Sequence, residues 1–201
     1  MDAEVLVGNL NEVGYQAWGN ETTLLLYVLG DPPTVRIADL TTGGSEVVAE
    51  NVGRSLNRIP NRNAWSFVEM GPPGQSWINE INIGTREVRR IISAIGGGEF
   101  HAWTPTGVLL MAMGSRIYQW DPESILESGL DLEPEVDLEP EVGVERRVGP
   151  DRRFVSDPRV VEDWRLIADL KDMDITISRI AVSPDGSKIA IVGEPLPEAD
   201  R

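Results

Sequence analysis

The chain carries one histidine, His101, in the short stretch Glu99-Phe100-His101-Ala102-Trp103, and it is the first residue to weigh for chemistry. A lone imidazole can serve as a general base or a metal ligand, but a zinc site of the usual kind needs further histidine or cysteine ligands. The sequence offers no second histidine and no cysteine. A Ser-His pair would need a nucleophile elbow of the Gly-x-Ser-x-Gly type; Gly43-Gly44-Ser45 falls instead in a predicted hairpin turn, in a different repeat unit from His101. Gly96-Gly97-Gly98 is followed by Glu99 and a strand, without the Lys and the helix that a phosphate-cradling loop requires. His101 is therefore read as a strand residue and the glycine run as a linker. No catalytic, cofactor-binding or metal-ligating residue is assigned, and no cofactor is expected.

The densest run of ionisable groups lies in residues 122–162. From Pro122 to Glu145 there are nine acids and no base, with the hexapeptide Asp-Leu-Glu-Pro-Glu-Val occurring twice, at 131 and 137, and five arginines follow at 146, 147, 152, 153 and 159. The Asp-x-Asp-x-Asp-Gly spacing of a calcium loop is absent. Regular proline, charge blocks and low hydrophobicity predict a disordered low-complexity insertion. Its functional reading is a docking arm, with Glu133, Glu135, Asp137 and Glu139 facing a basic surface and Arg146 and Arg147 facing an acidic one.

The whole chain is acidic: 33 Asp and Glu against 18 Lys and Arg give a net charge of −15 over 201 residues. Such a field repels nucleic-acid backbones and anionic membranes, which removes both as expected partners and leaves a basic protein partner, cation binding or simple solubility. Hydrophobic content of 41% is ordinary for a globular chain with a real core. No apolar run reaches the roughly 18 residues a membrane-spanning helix needs. Asp2 and Glu4 stand where a secretory signal would carry positive charge, so no signal peptide is expected.

What must position these residues is a repeat. Short apolar runs of period 2, punctuated by Gly and Pro every 8 to 12 residues, predict strands nearly throughout. Aligned on the end of the first strand of each unit, the copies register at Trp18, Ile59, Trp103 and Val182. The first two intervals (59 − 18 = 41, 103 − 59 = 44) are one period, and the third (182 − 103 = 79) contains the insertion. A period of about 40 residues with four strands per unit is the signature of β-propeller blades. The units fall at about 9–52, 53–95, 96–121 joined with 163–175, and 176–194, which is three and a half blades in an all-β domain. Five of the six tryptophans, at 18, 65, 77, 103 and 120, fall inside predicted strands where blades pack together, and Trp164 opens a late strand; packing is expected of them rather than a sugar-binding platform.

With these residues in view, the chain resembles the TolB-type, WD40-like β-propeller, whose repeat carries a Ser-Pro-Asp-Gly turn between the first two strands of each blade. Ser183-Pro184-Asp185-Gly186 matches that turn in full and Thr104-Pro105-Thr106-Gly107 in part. The acidic end of the third strand is met at Asp39 and Asp121, with Asn82 in its place in the second unit. Closed propellers have about 4 to 8 blades, so the count implies part of a longer propeller, its C-terminal half, or closure through a second copy; bare blade faces then predict self-association. Residues 3–8 are read as the outer strand of a preceding blade and as the one candidate to complete the last.

The resemblance implies a non-catalytic protein-interaction or scaffold module, periplasmic if the chain is a piece of a TolB-like parent. Its rivals are an accessory propeller of a serine peptidase of the prolyl oligopeptidase type and a small-ligand or sugar-binding propeller. Propeller geometry directs any ligand to the axial funnel, where Tyr15, Asn57, Arg58, His101 and Arg179 are expected.

Overall fold

The computed structural model describes residues 6–8, 10–123 and 163–196. They form three four-stranded antiparallel sheets and one hairpin, each sheet a meander of consecutive strands. The first blade comprises β1 (Val13–Asn20), β2 (Thr23–Val28), β3 (Thr34–Asp39) and β4 (Gly44–Glu50). The second comprises β5 (Val52–Arg58), β6 (Ala64–Met70), β7 (Ser76–Asn82) and β8 (Val88–Ser93). In the third, β9 (His101–Trp103), β10 (Leu109–Met113) and β11 (Arg116–Trp120) are joined by β12 (Arg165–Asp169), which follows the insertion and completes the sheet. The fourth unit is the pair β13 (Ile175–Val182) and β14 (Ile189–Pro195). The docking-arm residues Glu133, Glu135, Asp137, Glu139, Arg146 and Arg147 lie outside the described residues.

The second strand of each blade is a continuous apolar run because both of its faces are covered. Along β2, Leu25 and Tyr27 point into a core shared with Trp65, Phe67 and Ile81 of the second blade, while Leu24 and Leu26 point the other way. Along β10, Leu109 and Met111 meet Ile78 and Ile95 of the second blade, and Leu110 meets Ile177 and Ile180 of the hairpin. Alternation of side chains across a strand turns one sequence run into two cores.

The turns explain the repeat's polar signature. At the end of the third strand, Asp39 accepts the Thr41 N–H at 2.8 Å, Asn82 the Gly84 N–H at 2.9 Å and Asp121 the Glu123 N–H at 3.0 Å. One geometry, a side-chain oxygen on the backbone two residues on, serves all three units, which is why Asn can replace Asp there. In the hairpin, Asp185 accepts from Ser183 Oγ at 2.6 Å and Ser187 Oγ at 2.7 Å, bonds that hold its carboxyl low, at about 2. Gly186 follows at φ +71°, a region that favours glycine.

Three expectations need correction. The run Ser55-Leu56-Asn57-Arg58-Ile59 predicts a second inner strand starting at Ser55, but the strand begins at Val52, because an irregularity between Val52 and Leu56 breaks the alternation that marks a strand. Trp18 is not packed but 54% exposed. Its repeat equivalent Trp103 is anchored by Ser66 of the preceding blade, whereas Trp18 faces away from the second blade and meets no such partner among the described residues. Of the stretch 3–8, the described part, residues 6–8, is not a strand, and Val7 packs on Leu24, Leu26 and Ala38 of the first blade.

Candidate functional site

The first strand of each unit lies at the centre, with β1 against β5, β5 against β9, and β9 against β13. Between them opens a cavity of about 340 Å³, lined by residues from all four units, among them Tyr15 of β1, Asn57 of β5, His101 of β9 and Arg179 of β13. Four of the five residues expected at the axial funnel are thus brought together. Arg58 is not: successive strand residues point to opposite faces, and its guanidinium lies over the Trp65 ring, 5.6 Å from the centroid.

Arg179 spans from the hairpin to the first blade, donating to the Tyr15 hydroxyl at 3.2 Å. Its guanidinium also lies 5.1 Å from the centre of the Phe100 ring, a cation–π placement. The Tyr15 ring is fixed in turn by an edge-on contact with Tyr27, centroids 5.9 Å apart. Arg54, at the same mouth, is paired with Glu99 at 3.1 Å, and that carboxylate is the main cause raising the Arg54 pKa further. Arg54 and Phe100 were not among the expected residues. Arg54 lies before the expected start of its strand, so the misplaced boundary hid it; Phe100 beside His101 carried no signal beyond being aromatic.

His101 borders the cavity, is 2% exposed, and has its ring bonded across the seam to Ser66 of the second blade. Ser66 Oγ stands 2.7 Å from His101 Nε2, 2.8 Å from Trp103 Nε1 and 3.3 Å from the Asn57 carbonyl. Indole N–H can only donate, so Ser66 accepts from Trp103 and has one proton to give. With the His101 proton on Nε2, Ser66 accepts twice and donates to Asn57, and every contact is used. Nδ1 is then a buried acceptor with no partner among the described residues. Burial pushes the His101 pKa down to about 3, so the ring is neutral at physiological pH. The Asn57 amide donates to Ser55 Oγ at 2.8 Å and to the His101 carbonyl at 2.9 Å, tying β5 to β9 at the cavity wall. His101 thus lines the cavity as expected, and its ring also braces the seam between the second and third blades through Ser66.

Among the described residues no group of three or more His, Cys, Asp or Glu is placed to share a metal ion, and no helix is long and apolar enough to cross a membrane.

Four-stranded meanders stacked face to face around a common centre, first strands innermost, make this a β-propeller in architecture. The fold is similar to that of TolB from Acinetobacter baumannii, which superposes with a TM-score of 0.51 over 91% of this chain at 19% identity, and the chain spans 38% of the TolB length. Hydrazine synthase from Kuenenia stuttgartiensis (TM-score 0.45, 15% identity, 88% of this chain and 56% of that one) and the tricorn protease (0.36, 17%, 52% and 13%) overlap less well. No protein-family model and no curated sequence matches the chain.

Proposed function

We propose that the chain is a non-catalytic interaction module that engages a segment of a partner protein at the axial cavity. The observation that carries this reading is the composition of the cavity wall: four separate units each contribute residues, so the cavity is a product of the propeller arrangement rather than of one hairpin. At about 340 Å³ it falls within the roughly 300–1,000 Å³ range of ligand sites and accommodates a few side chains of an extended segment. Binding rather than catalysis is supported by His101, which is 2% exposed and has its Nε2 bonded to Ser66.

The test is selection of random displayed peptides on the folded chain, followed by a countercheck on the Ala181→Trp variant, in which an indole fills the cavity from an exposed wall position. Peptides that bind the natural chain and lose the variant support the reading. Binding that the tryptophan leaves untouched moves the interaction surface elsewhere and sinks it.

A further inference from the structure

The charges at the cavity run against the rest of the molecule. The chain has 33 acidic and 18 basic residues, yet the two ionisable groups of fixed charge that line the cavity are both arginines, Arg54 and Arg179, and no Asp or Glu lines it. Arg54 is already neutralised by Glu99. Arg179 has no carboxylate within ion-pair distance among the described residues; it is held in place by a phenol and an aromatic face instead. A guanidinium whose fork is fixed by neighbours loses little freedom when an anion arrives, which is the general condition for tight recognition.

From this we infer that the axial cavity recognises a carboxylate borne by the partner segment, with Arg179 and Tyr15 as its direct contacts; the inference rests on the cavity being the binding surface. Tyr15 accepts from Arg179, so its own O–H remains to donate, and an incoming carboxylate receives one charged and one neutral hydrogen bond at the same point. Around this pair the wall is apolar, through Leu56, Ile180, Ala190 and Val192, which suits a carboxylate flanked by aliphatic side chains. A phosphate dianion fits less well. The net charge of −15 repels it twice as strongly at long range, and only one arginine is uncommitted.

Three capped peptides decide the question, titrated by NMR against the folded 201-residue chain: acetyl-Leu-Glu-Leu-amide, its neutral counterpart acetyl-Leu-Gln-Leu-amide, and acetyl-Leu-Gln-Leu with a free C-terminal carboxylate, with inorganic phosphate as a fourth ligand. The Glu peptide is expected to bind about tenfold or more tighter than the Gln amide, the scale of a charge-assisted bond. That preference should vanish in Arg179→Met, which keeps the aliphatic stem, and shrink several-fold in Tyr15→Phe. The free-terminus peptide matching or exceeding the Glu peptide assigns the site to a chain end; falling to the level of the Gln amide assigns it to a side chain. Equal binding of Glu and Gln amides, a preference that survives Arg179→Met, no binding by either carboxylate peptide, or phosphate outcompeting all three overturns the inference. Displayed peptides that still require an open cavity under any of these results leave the interaction reading standing, so the two failures are distinct.

Discussion

The second blade and the C-terminal hairpin are built from the same repeat, but they are held by different things. In the second blade both faces are covered: Trp65 and Phe67 enter the core shared with the first blade, and Ile78 enters the core shared with the third. The hairpin carries the one full Ser-Pro-Asp-Gly turn of the chain, yet only one apolar core holds it, through Ile177, Ile180 and Ile191. On β14 the exposure of Val192 rises to 55%, against 1% for Phe67. The strongest motif sits on the least packed element. The difference shows that the signature specifies a turn, through hydrogen bonds local to residues 183–188, while blade stability is specified by what lies on either side.

Truncation within each region is the bluntest way to break this comparison. Phe67→Ala removes a fully covered ring at the first seam and is expected to destabilise by about 3–5 kcal/mol, the range for a large aromatic lost from a packed core. Val192→Ala, on the open face, is expected to stay within about 0.5 kcal/mol of the natural chain, as surface substitutions do. Urea unfolding of both variants reads the two numbers, and comparable losses would mean that the hairpin is packed as tightly as the blade.

The fold was legible because the repeat writes itself twice, as period-2 apolar runs and as turn residues in register. The strands β6 and β2 could be bounded closely from Ala64-Trp65-Ser66-Phe67 and Thr23-Leu24-Leu25-Leu26, since continuous apolar runs flanked by turn residues have few other readings. The start of β5 was not legible, because the bulge after Val52 suspends alternation over Gly53 and Arg54. Of the site, Tyr15, Asn57 and Arg179 followed from knowing which strand is innermost. The roles of Trp18 and His101 did not follow, because each depends on contacts with another unit: Ser66 braces His101 and Trp103, and Trp18 meets no such serine among the described residues. A repeat predicts position within a unit; contacts across seams are set by residues that differ from unit to unit.

The seam between the second and third blades can be sharpened by pH. His101 is charged in the unfolded chain below its ordinary value near 6.5 and neutral in the fold down to about 3. The unfolded state therefore binds the extra proton in that window, and stability falls as pH drops from 6.5 toward 3, being fully present above 6.5. At pH 5 the difference is about 1.5 units, or about 2 kcal/mol at roughly 1.4 kcal/mol per unit. Folding stability measured from pH 8 to 4 should show this slope superimposed on that of the carboxylates. In His101→Gln, whose baseline stability is lower, the component centred near 6.5 should be gone; an unchanged profile between pH 7 and 5 would show that the ring is protonated in the fold.

The smallest effect concerns the turn of the hairpin, where the two regions of the comparison come closest to being alike. Gly186 and Gly107 occupy the same place in consecutive units, both at positive φ, +71° and +90°. An alanine at either position carries the strain of the left-handed region, about 1–2 kcal/mol. Their surroundings differ. A Cβ at Gly107 meets nothing within 4 Å, whereas at Gly186 it comes within 3.2 Å of Pro105 Cδ in the turn of the third blade. The proline ring cannot rotate away, so Gly186→Ala should cost a few tenths of a kcal/mol more than Gly107→Ala, an increment at the scale of local packing changes. Thermal unfolding of the two single variants and the double variant measures it, with Pro105→Ala as the background that should erase the difference. If the difference persists without Pro105, the turns of adjacent units do not touch, and the hairpin is held to the third blade by the Ile177 and Ile180 core and the bond from the Ile177 N–H to the Gly114 carbonyl.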